Sequence, residues 1–260
     1  MKSYEIKTNM RFHRLICGDC LEVLRTIPTE SIDLIIADPP YNVGIDYGAY
    51  RDEPSKLDEY LEWCKLWICE CTRILKKEGS IYLFNYPENN ALLFPFISQK
   101  LFFRRWLVWH YPTNIGHSPK NWTRSHRSII FAAKTKNYKF NKEAVAIPYR
   151  NPNDKRIKKR KEEGSHGKTP YDVFTFNLVK NVTKWKNNIN HPCLIPKELI
   201  KTFILASSDE GDTVLDPFAG SFTTTFSALE VNRSSIGIEI NPDFVEDAYK
   251  RLKSTLTSFL

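Results

Sequence analysis

Short apolar runs and helical periodicities alternate along most of the chain. Phe12-His13-Arg14-Leu15-Ile16-Cys17 predicts a strand, Gly18-Asp19 ends it, and Cys20 to Ile27 predicts a short amphipathic helix stopped by Pro28. Ile32 to Ala37 is apolar and bounded by turn formers, as expected of a strand buried on both faces of a parallel sheet. Leu57 to Leu75 carries Leu61, Cys64, Leu66, Ile68, Cys71, Ile74 and Leu75 at helical spacing, with Lys76-Lys77-Glu78-Gly79 read as terminal cations and a C-cap. Ser80 to Phe84 predicts a strand, and Asn89 to Lys100 a helix interrupted or started by Pro95. Phe103 to His110 and Ser128 to Ala132 predict two more strands, separated by a loop too long for a passive connection. Periodicity fades from about Thr135 to Asn190. It returns as helix Ile195 to Ser207, strand Thr213 to Leu215, helix Thr223 to Leu229, strand Ser235 to Ile240 and closing helix Pro242 to Leu256.

Strands alternating with helices predict an α/β fold with a mostly parallel sheet and helices on both faces. In such sheets ligands bind beyond the carboxyl ends of the strands. Asp19, Asp38, Asp216 and Glu239 all stand at predicted strand ends. Asp38-Pro39-Pro40-Tyr41 is the stiffest of these exits, because two prolines fix φ and donate no hydrogen bonds. It aims a carboxylate, a proline carbonyl and an aromatic ring into one small space. The run Asp216-Pro217-Phe218-Ala219-Gly220-Ser221, followed through a helix by Gly237-Ile238-Glu239, has the loop-to-acid spacing of an adenosine-binding fold.

Charge narrows the partners. The chain of 260 residues carries a net +8 and a pI near 9.1. Residues 134–190 hold 15 Lys or Arg against 5 Asp or Glu, so this one segment is basic and the remainder slightly acidic. Lys155, Arg156, Lys158, Lys159, Arg160 and Lys161 stand among Tyr138, Phe140, Tyr149, Tyr171, Phe174, Phe176 and Trp185. Alone, such a run reads as a solvated face; beside aromatic residues it points to nucleic acid. No apolar run is long enough to span a bilayer and Met1-Lys2-Ser3-Tyr4-Glu5 has no secretory character, so the expected location is the cytoplasm, away from membranes. Of the six cysteines, Cys17 and Cys20 have C-x-x-C spacing, but no second pair follows at finger spacing, and no metal is expected.

Asp38-Pro39-Pro40-Tyr41, His191-Pro192 before a helix, and Leu215 to Ser221 with Gly237-Ile238-Glu239 together resemble the amino-group DNA methyltransferases that use S-adenosylmethionine. The early catalytic tetrapeptide and late cofactor loop are similar to the β-class order. The resemblance implies a circularly permuted Rossmann-like methyltransferase sheet formed by residues 1–133 and 191–260, with 134–190 as a small inserted target-recognition region. It further implies that Asp19 and Cys20 meet the cofactor adenine, that Glu239 binds the ribose, and that Asp38, His191, Asp216, Phe218, Ala219, Gly220, Ser221 and Thr223 complete the cofactor site. A homodimer and a restriction endonuclease acting on the same DNA site are further partners that the resemblance suggests. The family loop usually reads Gly-Ser-Gly-Thr; Phe222 at the third position predicts weakened cofactor binding or a shifted loop.

The chemistry suits these residues. An exocyclic amine on adenine or cytosine is a poor nucleophile because its lone pair is delocalised. Asp38 and the carbonyl of Pro39 can accept both its N–H bonds, and Tyr41 can stack on the base. The base must leave the duplex to be reached. Asp at the tetrapeptide's first position favours adenine N6, with cytosine N4 as the alternative. A fold that has lost its cofactor and only binds nucleic acid is the contrasting reading, which Phe222 leaves open. Cys193 lacks the sequence context of a cytosine-C5 nucleophile and is not assigned that role.

Overall fold

Nine strands form one mixed sheet in a computed structural model that describes residues 2–8, 11–44, 56–113, 116, 119–179 and 194–257. The strands are β1 (Lys2–Thr8), β2 (Arg11–Cys17), β3 (Ile32–Ala37), β4 (Leu75–Asn85), β5 (Phe102–His110), β6 (His126–Ala133), β7 (Val173–Thr175), β8 (Thr213–Asp216) and β9 (Ser234–Glu239). The helices are α1 (Cys20–Thr26), α2 (Leu57–Ile74), α3 (Pro87–Lys100), α4 (Lys155–Glu162), α5 (Lys197–Ser207), α6 (Thr223–Glu230) and α7 (Pro242–Thr257). The spatial order is β1-β2-β9-β8-β3-β4-β6-β5-β7. Strands β2, β9, β8, β3 and β4 run parallel, so Cys17, Glu239, Asp216, Ala37 and Asn85 end at one edge.

Strand β3 is central because every residue in it is buried. Its pleat sends Ile35 and Ala37 into one core with Leu24, Trp67, Ile68 and Ile97 of α1, α2 and α3. Leu34 and Ile36 face the other side, where Leu199, Phe203 and Ile204 of α5 pack with Tyr82 and Phe131. A third cluster joins Leu15, Ala219 and Phe222 to Val245, Ala248 and Leu252 of α7.

Two local expectations change. Lys76 to Gly79 do not cap α2 but extend β4. Lys76 Nζ lies 2.8 Å from both carboxylate oxygens of buried Asp33, whose Oδ2 also accepts from Thr213 N at 2.9 Å, so one acid ties β3, β4 and β8 together. A Cβ on Gly79 would stand 2.9 Å from the Asp33 carbonyl oxygen, so close strand packing, not a cap, requires that glycine. Pro95 neither starts nor ends α3; it sits inside it on an exposed face, where water can take the unpaired carbonyl of the preceding turn. Strands β2 and β3 are not neighbours, since β9 and β8 lie between them. An edge strand, β1, pairs antiparallel with β2; its alternation of exposed and half-buried residues is too weak to stand out in sequence.

The segment 134–179 is anchored at both ends. β7 adds to the sheet beside β5, and Tyr138, Phe174, Phe176 and Leu178 pack on the α5 core. These aromatics are structural supports, not an open face. Between them, Ile147 and Lys168 exchange backbone hydrogen bonds of 2.9 Å, and α4 lies wholly on the surface.

Candidate active site

The four strand-end acids and the Asp38-Pro39-Pro40-Tyr41 turn surround one cavity of about 380 Å³ at the carboxyl edge of the sheet. Its lining includes Asp19, Cys20, Asp38, Pro39, Pro40, Tyr41, Asp216, Phe218, Ala219, Gly220, Ser221, Thr223 and Glu239, all singled out from sequence. His191 and Cys193 lie outside the described residues. The basic residues of α4 do not line the cavity; Lys155, Arg156, Lys158, Lys159, Arg160 and Lys161 are all exposed.

Three of the four acids are held by backbone donors, and Asp38 by a side-chain hydroxyl. Asp19 is the N-cap of α1, its Oδ1 accepting from Leu21 N at 2.9 Å and Glu22 N at 3.2 Å. Asp216 accepts from Phe218 N at 3.0 Å and from Thr224 Oγ1 at 2.6 Å. Glu239 spans the two loops, taking Gly220 N on Oε2 and Asn241 N on Oε1, both at 2.8 Å. Asp38 is partly buried and accepts from Tyr41 Oη. Behind it Asn89 Nδ2 donates to the Tyr41 carbonyl at 2.9 Å and to Asn85 Oδ1 at 2.9 Å, while Asn85 donates to Tyr60 Oη at 2.8 Å. This buried network fixes the backbone of the tetrapeptide.

The cavity is lined by buried and half-buried carboxylates. Burial pushes Asp216 up to about 7; its two hydrogen bonds oppose the shift, and Asp38 and Glu239 add to it. Burial also pushes Asp38 up to about 6, against the Tyr41 hydroxyl and Arg127, which pull it down. Glu239 is raised by burial as well, against its backbone donors. Such a set of carboxylates favours a ligand carrying positive charge and hydroxyl donors. Cys20 lines the same space, but burial pushes its thiol up to about 12, leaving it protonated and apolar.

Phe222 does not enter the cavity. It has left-handed dihedrals, φ 64° and ψ 28°, which a glycine would adopt without strain, and its side chain is fully buried in the α7 core. Its ring packs against Gly237, where a Cβ would come within 2.7 Å of Cδ1 and Cε1. Phe222 therefore does not crowd the cavity: its backbone takes a left-handed conformation open to glycine, and its ring packs into the α7 core.

Sequence reasoning missed Trp63, Trp109, Arg127 and Phe244, which also line the cavity. Trp63 stands 5.6 Å from the Phe218 ring and Trp67 5.1 Å, making an aromatic wall. Trp63 is half-buried beside Tyr60 and Trp67 in an ordinary amphipathic helix pattern, and nothing around His126-Arg127 distinguishes it locally.

Comparison with known proteins agrees with this layout. Residues 32–250 match a family model described as DNA methylase. Over 251 residues the chain is 38% identical to the type II methyltransferase M.HpaI of Haemophilus parainfluenzae, covering 95% of this chain and 76% of that protein. Over 247 residues it is 38% identical to the DNA adenine methyltransferase YhdJ of Escherichia coli (strain K12), covering 92% and 82%. Among solved structures, the PvuII DNA methyltransferase, described as cytosine-N4-specific, superposes with a TM-score of 0.71 at 20% identity, covering 91% of this chain and 85% of that one.

Proposed function

This chain belongs to the DNA methylase family of amino-group methyltransferases, and from that premise we propose that it methylates N6 of a flipped-out adenine within a specific DNA sequence. The methyl donor is S-adenosylmethionine, which supplies a methyl group already activated on a sulfonium. The observation that carries the reading is the convergence on one cavity of Asp38-Pro39-Pro40-Tyr41 from one end of the chain with the Asp216 to Thr223 loop and Glu239 from the other.

The residues present suit that donor. Asp216 and Glu239 offer buried carboxylates to a cation and to ribose hydroxyls, Asp19 and Cys20 flank the adenine end, and Trp63 with Phe218 forms an apolar wall. The loop backbone from Phe218 to Thr223 has its glycine-like turn, with Phe222 turned away. On the substrate side, Asp38 and the Pro39 carbonyl accept the two amine hydrogens, which draws the nitrogen toward sp³ geometry and frees its lone pair. As the N–C bond forms, the donor's S–CH3 bond would break with its electron pair returning to sulfur as a neutral thioether, and Asp38 would take the amine's proton. Tyr41 leaves its hydrogen bond to Asp38 when the amine arrives and lies along the base. Positioning of the amine against an already activated methyl supplies most of the rate.

Adenine is favoured over cytosine because Asp heads the tetrapeptide and because YhdJ, 38% identical, is named as an adenine enzyme. Residues 134–190 serve as the target-recognition region, supported by the exposed basic α4. A cognate endonuclease and a homodimer complete the reading, the former suggested by the type II names of relatives; light scattering of the purified protein tests the latter. The deciding experiment is methylation of mixed-sequence DNA, digestion to nucleosides and mass spectrometry. N6-methyladenine is expected. N4-methylcytosine alone overturns the base assignment, and no methylated nucleoside overturns the activity.

A further inference from the structure

Arg127, on β6, reaches into the cavity from the side opposite the cofactor loop and has no role in the chemistry described so far. Its guanidinium carbon lies 5.1 Å from the ring centre of Tyr41, 4.4 Å from that of Tyr86 and 5.2 Å from that of Tyr111. Nη1 donates to Tyr111 Oη, the one hydrogen bond of this side chain among the described residues, so Nε and Nη2 keep donors in a position that lines the cavity beside Asp38 and Tyr41. Three rings hold the side chain in place, and Tyr86 is itself covered by Arg124 at 3.8 Å, with Arg124 paired to Glu88 through two bonds of 2.9 and 3.0 Å. Holding a guanidinium this rigidly fixes where its donors point.

An ionised Asp38 only accepts hydrogen bonds and Arg127 only donates them. Both line the cavity and both meet Tyr41, whose hydroxyl donates to Asp38 and whose ring lies against the Arg127 guanidinium, so an acceptor and a donor face the same space. The edge of an amino base is complementary to this pair: adenine offers the N6 amine beside N1, and cytosine the N4 amine beside N3. Guanine and thymine present a carbonyl beside an N–H, which sets acceptor against acceptor and donor against donor, and leaving buried groups unpaired is what gives strong discrimination. We propose that Arg127 donates to the ring nitrogen next to the amine held by Asp38, and thereby selects amino bases and fixes their orientation. This rests on the reading of Asp38 as the amine acceptor. A donor on the ring nitrogen draws electron density from the amine, so what Arg127 contributes is recognition and alignment.

The test uses duplexes in which the ring nitrogen of the target base is replaced by C–H: 1-deazaadenine, or 3-deazacytosine if nucleoside analysis identifies cytosine. Wild-type enzyme is expected to lose about 10–100-fold in kcat/KM on the deaza duplex. Arg127→Met should lose a similar factor on the natural base and show no further loss on the deaza duplex, with Arg127→Lys recovering part of the loss on the natural base only. Calorimetric binding of S-adenosylmethionine should stay within about threefold for Arg127→Lys, which keeps the test valid if the methionine variant folds poorly. Losses that multiply, a wild type indifferent to the deaza substitution, or a defect that appears wholly as a shallower salt dependence of DNA binding each overturn the proposal; the last marks a phosphate contact. Full activity of Asp38→Ala sinks the Asp38 reading and this one with it, whereas multiplying losses sink this one alone.

Discussion

At the scale of single residues, the site works by keeping carboxylates in a place that disfavours their charge. Asp38 must be ionised to accept its share of the amine's N–H bonds and then the amine's proton, and its pKa of about 6 sets the acid limb of activity. Transfer should fall as pH drops through about 6, read from kcat/KM between pH 5 and 8. The same shift has the opposite sign for folding. A carboxylate whose folded pKa is raised from 3.8 stabilises the fold below about pH 4 relative to neutral pH, and that advantage is lost as pH rises through about 6. Asp38→Asn should therefore abolish methyl transfer yet raise the thermal midpoint at pH 8 by roughly 2–6 °C, a gain that disappears below about pH 4. An unchanged midpoint at pH 8 counts against the burial argument.

Phe222 makes a second residue-scale case, because two effects compete there. Phe222→Gly relieves left-handed strain but empties a fully buried site between Gly237, Val245 and Leu252. Cavity formation costs about 3–5 kcal/mol and strain relief returns about 1, so the variant should be less stable by about 2–4 kcal/mol. Its affinity for S-adenosylmethionine should change little, since the ring never meets the cavity. Denaturant unfolding and calorimetry on the same sample separate the two outcomes. In sequence Phe222 looks like an obstacle; only the direction of its side chain reveals that it is a core residue.

Among the described α-helices, α4 is the one with no buried residue. Asp154 caps it through Arg156 N at 2.8 Å, and nothing in Lys155–Glu162 is buried. A helix of this length gains little stability alone, so its concentration of cations is best explained by a polyanion. Changing Lys158, Lys159 and Arg160 together to Gln should weaken DNA binding and lower the slope of log affinity against log salt by about 2–3, leaving cofactor binding untouched. A slope that stays put shows a solvated face. The neighbouring aromatics divide: Tyr171 is exposed under Lys168, 3.5 Å from its ring, while Tyr138, Phe174 and Phe176 pack inward. Composition drew attention to the segment, and burial sorted its residues into supports and surface.

For the whole molecule, the cavity is closed by segments from both ends of the chain. Gly18 N donates to the Glu239 carbonyl at 3.0 Å, and β8 lies directly beside β3, so the two halves share one sheet. S-adenosylmethionine at 100 times its dissociation constant should raise unfolding free energy by about 2.7 kcal/mol and move one cooperative transition, not half of one. Two transitions of which the ligand shifts only one would contradict this shared architecture.

The sequence by itself determined most of the elements, though not β1, α4 or β7, and the acids that end the central strands, because periodicity, turn formers and proline stiffness act over a few residues. Asp38, Asp216 and Glu239 were legible for that reason, as was the order of their motifs. What it could not determine was which strands lie side by side. The order β2-β9-β8-β3-β4, fixed by packing on both faces of β3, is what brings Asp19 and Asp38 to Asp216 and Glu239 across some 200 residues of chain. The same long-range packing turns the Phe222 ring away from the cofactor loop and carries Arg127 into the cavity from β6. Those outcomes depend on which buried space a side chain finds, and that space exists only after the sheet has assembled.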